Sequence, residues 1–287
     1  MFKIITDSGA DLPEGFLEEN DVTSLYLPVT MDGISYRAAQ ELPGEEFYQK
    51  LKQGAMPTTS QMNPQEAAEC FRQYLAEGTA VLYLALSSGL SGTYNSARIG
   101  ADMIKEEMPD AKLAVVDTLS ASVQQGLLVC KAVQLRNEGK TLEEVVKYVE
   151  ENRQNFHAIF TVDDLFHLHR GGRVSKASAI VGTLAQIKPV LRMNGEGKIE
   201  MLNKVRGRKK SLQAVVDTME EQTSGQEEKN DMVLIGYGDC AEDAESVKAL
   251  IQERFGIEKV LLSHVCPTIG AHTGAGIIVL AFAGKKR

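Results

Sequence analysis

At 287 residues, with 43% hydrophobic and 24% charged side chains, the chain has the composition of a soluble globular protein and the length of two modest domains or one large one. A formal net charge of −8 argues against nucleic-acid binding by the molecule as a whole. Four scattered cysteines (Cys70, Cys130, Cys240, Cys266) contain no Cys-x-x-Cys pair, which argues against a zinc site or a disulfide framework and fits a reducing cytoplasm.

The N-terminus turns polar at Thr6-Asp7, too early for a secretory signal. Phe2 to Ile5 reads as a short buried strand ending at Thr6-Asp7-Ser8. Thr58-Thr59-Ser60-Gln61 reads as a loop ahead of a helix that starts with Asn63 as cap and Pro64 at the first helical position. Ala68, Phe71 and Leu75 give that helix an apolar face, and Gly78 stops it. The apolar run Ala80 to Leu86 then ends abruptly in Ser87-Ser88-Gly89-Leu90-Ser91-Gly92-Thr93, and a helical pattern carrying Ala97, Ala101, Ile104 and Met108 follows at once. Leu113 to Val116 is a strand, and a helix with Leu128, Ala132 and Leu135 runs to Gly139. Thr141-Leu142-Glu143-Glu144 is a capping box, and His157 to Val162 is the strand that closes this half. Such alternation predicts a parallel sheet with helices on both faces.

Beyond about residue 157 the pattern changes. A hairpin is expected from Pro189 to Met193 and Ile199 to Leu202 across Asn194-Gly195-Glu196-Gly197. A helix over about Lys209 to Glu221, a polar loop from Gln222 to Asn230, a strand at Met232 to Tyr237, a helix over Ala244 to Arg254, and strands at Lys259 to Val265 and Ile277 to Ala283 complete an α+β pattern. The predicted organisation is an N-terminal α/β domain over residues 1–156 and a C-terminal α+β domain over 157–287. The longest apolar runs, near Val81 and Ile277, are too short to span a bilayer, so no stable membrane insertion is expected.

The strand, hydroxyl-rich glycine loop and helix N-terminus around Ser91 make an anion cradle, because free backbone N–H groups and the positive end of the helix dipole face the loop. Ser87, Ser88, Ser91 and Thr93 add hydroxyls. The loop lacks the Lys-Ser/Thr pair of a nucleotide P-loop, which points to a smaller acidic head group. The same residue types also serve ordinary turns. Gly270-Ala271-His272-Thr273-Gly274-Ala275-Gly276 reads either as a close approach of backbone to a ligand or as a tight connection into the last strand. Lys204, Arg206, Arg208, Lys209 and Lys210 form a cationic run at a predicted helix N-terminus, where the dipole disfavours cations; it is either a solvated face or a docking patch. Arg170-Gly171-Gly172-Arg173 is similar, or caps a short helix from Asp164 to His169. His157, His167, His169 and His264 lack converging metal-ligand spacing, so no metal is expected. Ser91, His272 and Asp7 or Asp117 could form a hydrolase triad, but Gly89-Leu90-Ser91-Gly92-Thr93 is not a Gly-x-Ser-x-Gly nucleophile elbow.

Taken in order, Thr6-Asp7-Ser8 with Asp11-Leu12-Pro13, Thr59-Ser60-Gln61, Ser87 to Tyr94, Arg170 to Arg173, Arg206 to Lys210 and Gly270 to Gly274 resemble the DegV family of bacterial fatty-acid-binding proteins. The ordered set covers nearly the whole chain. The resemblance implies a two-domain DegV-like α/β fold that buries a long acyl chain. It implies a carboxylate held by hydroxyls matching Thr59 and Ser91, with Gly92 beside them and His272 nearby, and with Ser60, Thr93 and Thr273 in support. It implies no catalytic residue and no cofactor other than the bound fatty acid. A separate ATP-dependent fatty-acid kinase would make the acyl phosphate, docking through an arginine that matches Arg206 or Arg208. The chain departs from the family at Met62 and Ala275, where proline is usual, which would loosen the head-group loops. The competing expectations are a serine hydrolase or acyltransferase using Ser91, and a module sensing small organic acids with no requirement for a tail.

Overall fold

The computed structural model describes residues 2–175, 186–225 and 230–287. Strand β1 (Lys3–Asp7) is buried along its length; a short helix α1 (Phe16–Glu19) leads to β2 (Val22–Leu25), which pairs parallel to it. An antiparallel pair, β3 (Pro28–Met31) and β4 (Ile34–Arg37), precedes α2 (Gly44–Lys52). Thr58 and Thr59, expected in a loop, form β5 (Thr58–Thr59) and pair with β3 through Val29 opposite Thr59. Two residues are too few to show a period of two, so that pairing is invisible before the chain folds.

Helix α3 (Pro64–Leu75) starts as its cap predicts, with the Asn63 side chain accepting from the Gln65 amide at 2.9 Å. Ala68, Phe71 and Leu75 are buried. Then come β6 (Val81–Ala85), α4 (Thr93–Glu107), β7 (Leu113–Asp117) and α5 (Val123–Asn137). β2, β1, β6 and β7 form a four-stranded parallel sheet in that order. α5 is buried on nearly every side because it packs against β1 and β6 of this sheet and against strands of the second sheet as well. Its polar residues must therefore find partners indoors. Gln124 donates to the Phe156 carbonyl at 2.7 Å and Gln125 to Thr6 Oγ1 at 3.1 Å. α6 (Leu142–Asn152) carries both halves of the expected capping box between Thr141 and Glu144.

β8 (Phe156–Thr161) leaves the parallel sheet and pairs antiparallel in the second one. α7 (Phe166–Arg170) follows, then β9 (Ile187–Met193) and β10 (Ile199–Arg206) as the expected hairpin. α8 (Arg208–Thr223) extends two residues into the expected polar loop, of which residues 226–229 lie outside the described residues. The cationic N-terminus of α8 is offset by an ion pair of Arg208 with Asp243 at 2.7 Å. β11 (Met232–Tyr237), α9 (Ala241–Phe255), β12 (Lys259–His264), α10 (Pro267–Thr273) and β13 (Ile278–Ala283) end the chain. The sheet order is β10-β9-β8-β13-β11-β12, with only β11 and β12 parallel.

The glycine-rich stretch around His272 is thus not a loop throughout: α10 carries Gly270, Ala271, His272 and Thr273. Gly270 serves the packing of that helix. A Cβ there would lie 2.6 Å from the Tyr48 hydroxyl, so only glycine lets α10 seat on α2.

A buried cavity with a hydroxyl-lined end

Between the two sheets lies a narrow cavity. Its volume, mouth included, is about 690 Å³. Leu27, Leu86 and Leu90 come to it from the first half of the chain, and Phe160, Met193 and Ile277 from the second. Most of the wall is apolar; Thr59, Ser60, Ser91, Arg173, His272 and Thr273 supply a polar end.

Three separate elements build that end. β5 holds Thr59 against β3, α10 holds His272, and the turn between β6 and α4 holds Ser91. Thr59 Oγ1 and His272 Nε2 share a hydrogen bond at 2.7 Å, and Ser91 Oγ and Thr93 Oγ1 another at 2.9 Å. The Thr93 amide donates to Ser91 Oγ at 3.2 Å, which fixes the serine at the start of α4. His272 is pushed down to about 4, first by burial and then by the positive charges of Arg173 and Arg170, so the ring is neutral at pH 7. Its Nδ1 is buried and has no partner among the described residues. That nitrogen lies against the Gly171 backbone, where a Cβ would come within 2.1 Å of it. Arg173 closes the same end, its Nε and Nη2 donating to the Leu90 carbonyl at 3.1 and 2.9 Å.

The motif at the end of β1 supports this site from behind. Asp7 is fully buried and accepts hydrogen bonds from the Tyr83 hydroxyl (2.9 Å), the Leu86 amide (2.8 Å) and the Gly9 amide (3.0 Å). Burial pushes its pKa up, against the opposing pull of those donors. Ser8 Oγ accepts from the Leu27 amide at 3.0 Å. Two cavity-wall residues, Leu27 and Leu86, are thereby fixed to the end of β1.

Of the residues expected at a carboxylate, Thr59, Ser60, Ser91, His272 and Thr273 line the cavity. Gly92 and Thr93 stand behind Ser91, as the N-cap and first residue of α4. Ser87, counted among the cradle hydroxyls, donates to the Gly197 carbonyl at 2.7 Å and so anchors the β9–β10 turn; Ser88 faces solvent. Arg206 and Arg208 lie elsewhere, at the end of β10 and the start of α8. Met62, at one position where the family's proline is usual, is buried in the apolar cluster around α3 and α4. The triad does not form. His272 Nε2 is engaged by Thr59, its Nδ1 meets no carboxylate, and Asp7 is occupied by Tyr83, Leu86 and Gly9. Among the described residues no group of three His, Cys, Asp or Glu side chains converges as a metal site, and no helix is long and apolar enough to cross a membrane.

Sequence reasoning missed the cavity roles of Arg173, Ser122 and Thr268. Arg173 stood in a recognised motif but carried no sign of which loop it would clamp. Thr268 is an isolated hydroxyl, and Ser122 ends a Thr118-Leu119-Ser120-Ala121-Ser122 run that reads as an ordinary turn after a strand.

The match to known proteins is extensive. Residues 1–285 match a family described as an uncharacterised protein, DegV family. A DegV domain-containing protein of Clostridium perfringens is 40% identical over 288 residues, covering 100% of this chain and 98% of its own. The structure of a fatty-acid-binding DegV family protein from Thermus thermophilus superposes with a TM-score of 0.88 at 32% identity, covering 99% of both chains. A stearic-acid-binding protein from Eubacterium ventriosum superposes with a TM-score of 0.91 at 27% identity, again over 99% of both. Full-length matches in sequence and in fold establish that this chain belongs to the DegV family.

Proposed function

We propose that the protein binds one long-chain fatty acid, its tail in the apolar cavity and its carboxylate at Thr59, Ser91 and His272, and presents that carboxylate to a separate ATP-dependent kinase. The observation that carries the reading is an apolar cavity between two sheets that ends in hydroxyls and a neutral imidazole. Burying about fourteen methylenes gains about 11 kcal/mol before the losses of immobilisation. A carboxylate taken out of water needs hydrogen bonds, and the Thr59 and Ser91 hydroxyls supply them without a full counter-charge, with His272 Nε2–H donating to Thr59 Oγ1 so that the threonine proton is free for the ligand. The tail sets affinity; the polar end sets which oxygen faces outward.

For the kinase, Arg206 is the better docking residue. Its side chain is exposed and has no hydrogen-bond or ion-pair partner among the described residues, whereas Arg208 is held by Asp243. The change of sheet between β7 and β8 supports a division into two units at about residue 156. Free thiols at all four cysteines support a cytoplasmic location.

Purified protein should release a long-chain fatty acid on organic extraction, read by mass spectrometry. Delipidated protein should rebind it at one equivalent by calorimetry. Delipidated, folded protein that takes up no long-chain acid refutes the proposal.

A further inference from the structure

One cavity-wall group is unexplained by a plain hydrocarbon tail. Thr268 is 5% exposed and lines the cavity, yet its Oγ1 is buried without a hydrogen-bond partner among the described residues. It lies four residues before His272 on α10, so the two are about one turn, or about 6 Å, apart along the helix axis. A second hydroxyl is tied through Asp11 to the residue that caps α10. Ser122 also lines the cavity and donates to one Asp11 carboxylate oxygen at 2.5 Å; the other Asp11 oxygen accepts from the Cys266 amide, two residues before Thr268, at 2.8 Å. Ser122 Oγ spends its proton on Asp11 and keeps acceptor capacity toward the cavity.

From this pair we infer that the tail cavity contains a polar notch that selects acyl chains carrying a hydrogen-bonding oxygen, a chain hydroxyl, one helical turn from the carboxylate. The inference rests on the carrier reading above and names its substrate class. A chain hydroxyl can accept from Thr268 and donate to Ser122, which uses both groups at once. In an all-methylene slot the same hydroxyl would lose affinity, since a buried polar group without a partner is disfavoured. A preference for hydroxylated acids therefore requires the notch. Six ångströms corresponds to about five carbon–carbon bonds of an extended chain.

The test is competition binding to the delipidated full-length protein, with octadecanoic acid and a series of monohydroxyoctadecanoic acids whose hydroxyl moves along the chain. The expected result is a maximum for hydroxyls about five bonds from the carboxyl carbon, with about thirtyfold tighter binding than octadecanoic acid, the ratio of two added hydrogen bonds. Thr268→Val should abolish that ratio and Thr268→Ser should keep it. If octadecanoic acid competes at least as well as every hydroxylated acid, or the ratio survives in Thr268→Val, the notch is refuted while the carrier reading stands. If none of the acids binds, both fall together.

Discussion

Acidification offers a direct probe of the site through His272. In the folded protein its pKa is lowered from 6.5 to about 4, because the ring is buried and two arginines face it. The unfolded chain therefore takes the proton first. The stability held by the neutral ring is complete above pH 6.5 and is lost as pH falls from there toward 4. Between pH 7 and pH 5 the expected loss from this one group is about 2 kcal/mol. Other groups titrate in the same window. His157, also lowered to about 4, adds a loss of the same sign, whereas Asp11, raised to about 6 by burial, stabilises at low pH and loses that contribution as pH rises. A comparison of wild type with His272→Gln cancels those terms. Urea denaturation of delipidated protein at pH 7 and pH 5 should show wild type losing about 2 kcal/mol more than the variant. Saturation with fatty acid should shrink the difference, because a carboxylate beside the ring favours the imidazolium. Equal losses in wild type and variant would refute the account of a buried, neutral His272.

Three further expectations concern separate parts of the molecule. Ser91→Ala removes a hydroxyl from the polar end and should weaken fatty-acid binding about tenfold, read by calorimetry; unchanged affinity would remove Ser91 from the carboxylate site. Asp7→Ala leaves the Tyr83, Leu86 and Gly9 donors without their acceptor and should lower unfolding stability by about 3 kcal/mol or more, with a lower midpoint in urea. A loss under 1 kcal/mol would contradict the anchoring role. Arg206→Glu should lower acyl-phosphate formation in a coupled assay with the kinase while retention of bound acid is unchanged, and equal losses in both assays would point instead to a damaged fold.

Much of the architecture is legible along the chain because it depends on neighbours in sequence. The Asn63 cap, the Thr141–Glu144 capping box and the hairpin around Asn194 to Gly197 are each local hydrogen-bond patterns. The ordered motifs from Thr6 to Gly274 likewise pointed to the family without a fold. Other features needed distant partners. β5 exists only because β3 accepts it, α5 is buried all round only because a second sheet covers it, and Gly270 is needed only because α10 seats on α2. The same division runs through the site. Hydroxyls at Thr59 and Ser91 and the imidazole of His272 can be picked out one at a time. Their meeting joins β5, the β6–α4 turn and α10, with Thr59 and His272 separated by 213 positions along the chain. Local propensity and capping act over a few residues; a cavity wall is set by which faces two sheets leave between them, and that is decided only when the whole chain packs.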